Sequence, residues 1–245
     1  MHILAVPYII MVFGAKDIEG EKGKEALKSM STVEETYQDF LCQMGEERFL
    51  GPYYKACEKI ERELERINLE YSGKLGRKFI SQVSCRIKTP ESCLDKMIKK
   101  KYTVERGMAQ ERLGDIAGIR VICNFLDDVY MLAEIIEADS HFEIVKTKDY
   151  VRKPKASGYQ SFHMIAMVPT DGGQKKKVEI QIRTQAMNLW AVVEHHFVYK
   201  KGIYGKAEYE KDFRECARTI YKLDKKMLLI RKKMETCQKN SSENT

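Results

Sequence analysis

The chain has 245 residues, of which 43% are hydrophobic and 32% are charged. This composition is too apolar for a disordered chain and too charged for a membrane protein, so we expect a soluble globular domain with helical additions. The net charge is +7, and basic residues concentrate at 86–106 and 146–155, which favours a ligand that carries phosphate groups.

Seven cysteines, an odd number with no C-x-x-C pair, indicate reduced thiols and a cytoplasmic location. The apolar opening, residues 1–15, is too short for a membrane helix and lacks the basic flank of a signal peptide, so no membrane partner is expected. We interpret it as a packed terminal strand or as residues upstream of the natural start, since Met30 could also begin the chain. Residues 1–30 are therefore an extension of unknown role.

Apolar residues at alternating spacings of four and three predict an amphipathic helix over 53–71. A glycine-containing connection, 71–79, leads to a strand over 80–88. A second helix follows, with Thr89 as its N-cap and Pro90 at its first position.

The next strand is predicted over 117–125, followed by a helix over 127–138 that begins with an aspartate cap. Strands over 141–147, 160–168 and 177–184 come next, and a turn at 171–173 separates the last two. Helices over 186–201 and 208–239 precede a tail, 239–245, that is predicted to be disordered.

This order predicts an α+β fold of the α/β type, with a mixed sheet of about five strands flanked by helices. The predicted parts are a helical region at 31–80, a sheet core at 81–200, and a C-terminal helix and tail at 201–245. The last helix carries an unbroken apolar stripe, which requires a partner helix. Residues 53–71 of the same chain and a helix of another subunit are equally good candidates.

Two acidic residues could hold a metal ion. Alternation places Val178, Ile180 and Ile182 on one strand face and Glu179, Gln181 and Arg183 on the other, which is either a solvated face or the lining of a site. Asp115 precedes a neighbouring strand, and it is either a turn residue or, with Glu179, part of a hard oxygen site for Mg²⁺.

Cations surround the start of the helix after Thr89, where free N–H groups can also hold a polyphosphate. The alternative is an exposed, solvated helix face. The residues concerned are Arg86, Lys88, Ser92, Lys96 and Lys99. No Walker-type motif is present, so this is not a P-loop enzyme.

A tyrosine follows a tight turn at Gly158, and cations at Lys148, Arg152, Lys153 and Lys155 precede it. An exposed ring at Tyr159 beside cations could stack a base and hold its phosphates, although a tyrosine packed at a strand edge is the simpler alternative. The coincidence of Tyr159, Ser161 and His163 on one strand face favours the binding site. His195 and His196 fit structural or surface positions better than ligand positions.

Several motifs together resemble the synthetase domain of the RelA/SpoT family, and they occur in the same order over about residues 46–224. They are "SCRIKTPES", "RLGDIAGIRVICNFLDDVY", "KDYVRKPKASGYQSFH" and "VEIQIRTQAMNLWAVVEH". The length of the chain and the helical "ERFLGPYYKACEKIERELERI" most resemble a stand-alone small alarmone synthetase.

The resemblance implies a nucleotidyltransferase-like sheet and a GTP diphosphokinase. Such an enzyme transfers the β,γ-pyrophosphate of ATP to the 3′-hydroxyl of GDP or GTP, making ppGpp or pppGpp in the bacterial stringent response. It implies Asp115 and Glu179 as the catalytic carboxylates that bind Mg²⁺. For ATP it implies Arg86 and Arg120, which sandwich adenine, and around the phosphates Lys88, Ser92, Lys96 and Lys99. For GDP or GTP it implies Tyr159 stacking on guanine, with Lys148, Lys155, His163, Gln181 and Asn188 nearby.

The resemblance also implies a homotetramer, and a single-stranded RNA is a candidate regulator. Ser157 stands where many members have asparagine, and Gln160 where many have arginine, which could alter acceptor preference. No His-Asp pair precedes the synthetase block, so we expect synthesis without hydrolysis. The alternatives are a relative that pyrophosphorylates the 3′ end of tRNA and a silent RNA-binding or scaffold protein. Tyr159 argues against the first, and both carboxylates argue against the second.

Overall fold

The computed structural model describes residues 21–171, 173–201 and 207–242, which contain seven helices and five strands. The elements in chain order are α1 Glu21–Gly45, α2 Glu47–Leu75, β1 Ile80–Ile87, α3 Pro90–Lys99, α4 Arg106–Arg112, β2 Ala117–Cys123, α5 Leu126–Ala138, β3 Ile144–Asp149, β4 Phe162–Pro169, β5 Lys175–Thr184, α6 Gln185–Lys201 and α7 Ala207–Ser242. Within these ranges no helix has the length and apolarity needed to cross a bilayer. The terminal strand predicted at 1–15 lies outside the described residues, and α1 begins within the extension predicted at 1–30.

The five strands form one mixed sheet in the order β1-β2-β5-β4-β3. β2 and β5 are parallel, and the other neighbouring pairs are antiparallel. The predicted α+β fold with a mixed sheet of about five strands is therefore confirmed.

One face of this sheet is apolar, as the alternation predicts. Ile119, Ile180 and Met164 are neighbours in register across three strands, and all three are buried. Helix α5 contacts β2, β4 and β5 and buries Val129, Leu132 and Ile136. Burial of each such side chain contributes about 1.5–3 kcal/mol, so the apolar face is the main source of stability in this part of the molecule.

The described chain divides into two compact units. The described residues up to Leu50 and the segment Thr89–Leu113 form the first, in which α1 contacts α3 and α4. Gly51–Lys88 and the described residues from Gly114 onward form the second, which contains the sheet. These boundaries differ from those predicted at 30, 80 and 200, because Thr89–Leu113 groups with α1.

Local signals at helix starts are partly correct. Thr89 is the N-cap of α3, where its hydroxyl oxygen accepts a hydrogen bond from the Ser92 N–H at 3.3 Å, and Pro90 is the first helical residue. The aspartate cap of α5 is wrong, because the N-cap position is Phe125 and has no side-chain cap. Asp127 lies in the first turn and accepts a hydrogen bond from Arg231 at 2.5 Å instead.

Several predicted boundaries shift, among them that of β3, which spans Ile144–Asp149 rather than 141–147. Helix α2 runs to Leu75 through the predicted connection and ends before Gly76, whose φ is +62°. Strand β4 begins at Phe162 rather than 160, and the Ser161 hydroxyl before it donates to the Ile182 carbonyl. Helix α7 continues through 239–242, where a disordered tail was predicted, and 243–245 lie outside the described residues.

The apolar stripe of α7 has two parts. Phe213 and Ile220 pack against the buried cluster of Trp190, Ala191 and Ala217. Further along, four stripe residues are 44% to 60% exposed: Leu223, Met227, Ile230 and Met234. Among the described residues, the α2 helix of the same chain therefore does not cover this second part.

Candidate active site

Polar side chains occupy the sheet face opposite the apolar one. Arg120, Gln181, His163 and Lys148 are successive neighbours in register across β2, β5, β4 and β3. In the adjoining row, Arg86, Gly118 and Glu179 are neighbours across β1, β2 and β5. Residues that share a face in neighbouring strands lie close together. This face therefore brings together residues predicted to bind ATP and residues predicted to bind GDP or GTP.

Glu179 has a hydrogen-bond partner at each carboxylate oxygen. Nδ1 of His163 lies 3.0 Å from Oε1, and Nε2 of Gln181 donates to Oε2 at 2.6 Å. Burial raises the pKa of Glu179, but the hydrogen bonds from His163 and Gln181 outweigh it and hold that pKa below its ordinary value. An ionised carboxylate at neutral pH suits a cation ligand better than a strong general base.

Asp115 follows Gly114, where the chain returns to the second unit. Asp115 forms an ion pair with Lys88, whose Nζ lies 3.2 Å from Oδ2. Its charge also acts on Glu179, where it opposes the lowering of the pKa. Mg²⁺ usually binds one or two protein carboxylates, and substrate phosphates and water complete its coordination shell. Asp115 and Glu179, whose charges interact, form such a pair of carboxylates. The residues present therefore fit a bound Mg²⁺. The described residues contain no cluster of three or more metal ligands.

A tight turn places Tyr159 beside Lys155. The Gly158 N–H donates to the Lys155 carbonyl at 2.8 Å, and the Lys155 N–H donates to the Tyr159 carbonyl at 3.2 Å. Gly158 has a φ of +97°, and a Cβ there would lie 2.8 Å from the Cβ of Ala217. Glycine is therefore required twice, by the left-handed backbone and by the close approach of α7.

The ring of Tyr159 is less exposed than predicted. It packs against the Trp190 cluster at one edge, with ring centroids 6.4 Å apart, and Lys155 Nζ lies 4.5 Å from its centroid. Burial raises the pKa of its hydroxyl, although the neighbouring Arg183 charge opposes this. The ring thus combines the two interpretations offered by the sequence, since it is packed at one edge and lies beside a cation.

Tyr150 adds a second aromatic ring to this part of the site. Lys155 Nζ lies 5.0 Å and Lys148 Nζ 5.8 Å from the Tyr150 centroid, and the ring meets His163 edge-on at 5.1 Å. Lys155 therefore lies near the faces of two rings, an arrangement that cation–π attraction stabilises. The "KDY" sequence was visible, but nothing in it marked Tyr150 as different from a loop tyrosine.

Positive charge accumulates around Arg120, which is half-buried. Burial lowers its pKa first, and the charges of Arg183 and Arg86 lower it further. His195 feels the same arginines, since burial and then Arg86 and Arg120 lower its pKa. Several arginines that repel one another on the same sheet face indicate a site for an anionic ligand. His195 was predicted to be structural or a surface residue, and its electrostatic link to Arg86 and Arg120 was not foreseen.

The remaining predicted residues divide between the units. Ser92, Lys96 and Lys99 lie on α3, which belongs to the first unit, at spacings that place them on one helix face. Asn188 lies in the first turn of α6, with Oδ1 3.5 Å from Arg183 Nη1. Arg183 was predicted only as the third member of the polar row, yet it donates hydrogen bonds to both Tyr159 and Gln181.

Comparison with known proteins reveals close similarity. The family described as "Region found in RelA / SpoT proteins" matches residues 85–204. The GTP pyrophosphokinase YwaC of Bacillus subtilis (strain 168) is 34% identical over 186 residues, which cover 75% of this chain and 89% of that protein.

Solved structures agree with the sequence comparison. The small alarmone synthetase 1 from Bacillus subtilis bound to its product pppGpp is similar with a TM-score of 0.70 at 34% identity, covering 76% of this chain and 96% of that chain. The same synthetase bound to AMPCPP gives a TM-score of 0.65 at 32% identity, covering 78% of this chain and 97% of that chain.

Proposed function

The chain belongs to the RelA/SpoT family, and from this premise we propose that it is a small alarmone synthetase. It transfers the β,γ-pyrophosphate of ATP to the 3′-hydroxyl of GDP or GTP, which releases AMP and makes ppGpp or pppGpp. The relatives named GTP pyrophosphokinase, and the solved synthetases bound to pppGpp and AMPCPP, support both the acceptor and the donor class.

One observation carries the proposal. The Tyr159 hydroxyl lies 2.8 Å from Nε2 of His163, and Nδ1 of the same imidazole lies 3.0 Å from Glu179. A ring suited to stacking on a base is thus joined by hydrogen bonds to a carboxylate suited to a metal ion. A nucleotide whose base rests near Tyr159 would bring its ribose toward the carboxylate, as transfer to a ribose hydroxyl requires.

Positioning and charge neutralisation supply most of the catalysis in a phosphoryl-type transfer. Bound Mg²⁺, held by Asp115 and Glu179, would neutralise phosphate charge at the reacting centre. Arg86 and Arg120 supply guanidinium planes for the adenine and positive charge for the donor phosphates. Lys148 and Lys155 supply charge beside the acceptor ring, and Gln181 and His163 keep the Glu179 carboxylate oriented. Ser92, Lys96 and Lys99 are proposed to bind the ATP phosphates.

The test is a product assay with Mg²⁺, ATP and each of GDP, GTP and tRNA as acceptor. AMP release with a guanosine 3′-pyrophosphate is the expected result, whereas labelled tRNA would indicate the tRNA-modifying alternative. Absence of AMP with every acceptor would overturn the enzyme proposal. Incubation of purified ppGpp with the protein tests the expectation that hydrolysis is absent.

Replacement of the central carboxylate sharpens this test. Glu179→Gln keeps the shape of the side chain but removes the charge, so turnover should fall by at least about 10²-fold while ATP still binds. Glu137→Gln, an exposed position on α5, is the matched control and should retain wild-type turnover. Wild-type rates for both variants would remove Glu179 from the catalytic machinery.

We further propose a homo-oligomer, in line with the predicted tetramer. The exposed second part of the α7 stripe supports it, because an apolar helical stripe is stable when another helix covers it. Light scattering should give a mass above that of one chain, and Met227→Glu should lower it. A monomer mass for the wild type would refute the proposal.

A further inference from the structure

Arg183 is the most enclosed arginine of the polar face. It lies near the end of β5 and is only 4% exposed, although arginine is almost never fully buried unless it is paired. No carboxylate forms an ion pair with it among the described residues. Its partners are instead the Tyr159 phenol and the amides of Gln181 and Asn188, and its buried Nε has no hydrogen-bond partner. A buried guanidinium that is bonded only to neutral groups needs an explanation beyond charge pairing.

Nη2 of Arg183 begins two chains of hydrogen bonds. In the first chain, Nη2 donates to the Tyr159 hydroxyl at 2.6 Å, the hydroxyl meets His163 at 2.8 Å, and His163 meets Glu179 Oε1 at 3.0 Å. In the second, Nη2 donates to Gln181 Oε1 at 2.7 Å, and Gln181 Nε2 donates to Glu179 Oε2 at 2.6 Å. Both chains end on the same carboxylate, one at each oxygen.

This arrangement fixes the direction of every group within it. Because Arg183 can only donate, it selects the oxygen of the Gln181 amide and so directs the amide N–H₂ toward Glu179. The same donation to Tyr159 leaves the phenolic hydrogen free for Nε2 of His163, whose Nδ1 then donates to the carboxylate. The guanidinium carbon also lies 5.0 Å from the Tyr159 ring centroid, which holds the ring as well as its hydroxyl.

We propose that Arg183 is the positioning residue of the acceptor half of the site. It touches no reacting atom. It sets the orientation of the Tyr159 ring and of the Glu179 carboxylate together, so that the base platform and the carboxylate are kept in a fixed relation. The inference rests on the proposed function, because it assumes that Tyr159 receives the guanine nucleotide.

The alternative is that Arg183 contributes only to stability, as any buried polar side chain can. A double-mutant cycle separates the two, since residues that act through each other give non-additive effects and independent residues do not. The cycle uses Arg183→Met, Tyr159→Phe and the double variant. Arg183→Lys keeps the charge but lacks the guanidinium fork. The matched control is Arg231→Met, which removes another arginine of the same unit, one whose side chain is 12% exposed.

The measurements are the Kd for GDP by calorimetry and kcat/KM with GDP and with ATP as the varied substrate. Arg183→Met and Tyr159→Phe should each lower kcat/KM for GDP by about 10- to 100-fold, the range expected for a hydrogen bond to a charged group. The KM for ATP should change by less than about threefold. The double variant should be at least about fivefold better than the product of the single losses.

Two results would overturn the inference. One is multiplicative losses in the cycle, and the other is an equal rise in the KM values for GDP and ATP. Arg231→Met should lower the melting temperature without changing the Kd for GDP; the same GDP defect in this control would also refute a positioning role. If Arg183→Met does not fold, the cycle is run with Arg183→Lys. Wild-type turnover tests the proposed function separately, and the GDP-binding cycle decides on Arg183 even if turnover is absent.

Discussion

Asp224 should make the stability of this protein depend on pH. It is 5% exposed on α7, and its only described hydrogen bond comes from the Thr184 hydroxyl at 2.7 Å. Burial raises its pKa from 3.8 to about 6, and the Thr184 hydrogen bond opposes that rise only in part. Because the folded state favours the protonated carboxyl, stability is fully present below about pH 4 and is lost as the pH rises through about 6.

The size of the effect follows from the same values. A rise from 3.8 to about 6 corresponds to about 3 kcal/mol at neutral pH, at 1.36 kcal/mol for each pKa unit. Asp224→Asn removes this titration. The difference in unfolding free energy between variant and wild type should therefore shift by about 2.5 kcal/mol in favour of the variant between pH 4 and pH 7.5, since the unfolded Asp224 is already partly ionised at pH 4. Any fixed cost of the new amide cancels in that comparison.

Urea unfolding at both pH values measures this shift, with unfolding slopes compared to check that the denatured state is unchanged. Asp212→Asn, at an exposed position on the same helix, is the control and should differ from wild type by less than about 0.5 kcal/mol at either pH. A difference between Asp224→Asn and wild type that does not vary with pH would refute the reasoning.

Two further perturbations follow from other contacts. Asp128 is fully buried and accepts two hydrogen bonds from Arg77 at 2.6 and 2.8 Å, so Arg77→Met should cost about 3–5 kcal/mol in urea unfolding; a loss below about 1 kcal/mol would contradict this. Gly158→Ala should raise the KM for GDP and leave that for ATP unchanged, because its Cβ would meet Ala217. Gly173→Ala is the control, since Gly173 also has a positive φ but open space around it, and equal effects at both glycines would exclude the contact with α7 as the cause.

The sheet was predictable because its signals are local. Alternation along β5 places Val178, Ile180 and Ile182 on the buried face, and the same rule predicted the polar row that begins with Glu179. The cap of α3 was predictable for the same reason, because Thr89 and the Ser92 N–H it binds are three residues apart. Strand order and register were not predicted, since they depend on pairing between distant segments.

Other features depend on residues far apart in the sequence. Asp127 looked like a helix cap, but Arg231, 104 residues later, binds its carboxylate. Arg183 looked like the outer end of a polar row, and its role depends on a tyrosine 24 residues earlier. The segment Thr89–Leu113 carries phosphate-binding candidates and was therefore assigned to the core, whereas it clusters with α1.

The predicted boundary at residue 200 separates α6 from α7, although both helices support the acceptor half of the site. The indole N–H of Trp190 on α6 donates to the Phe213 carbonyl on α7 at 2.9 Å, and the Tyr159 ring packs against the cluster they form. Gly158 meets the same helix at Ala217. Tyr159 is therefore held from two sides, by Arg183 on β5 and by the cluster to which α7 contributes. Glu179 lies on β5 itself. Because α7 also carries the exposed stripe, any partner that covers the stripe would bind the helix that supports the acceptor ring.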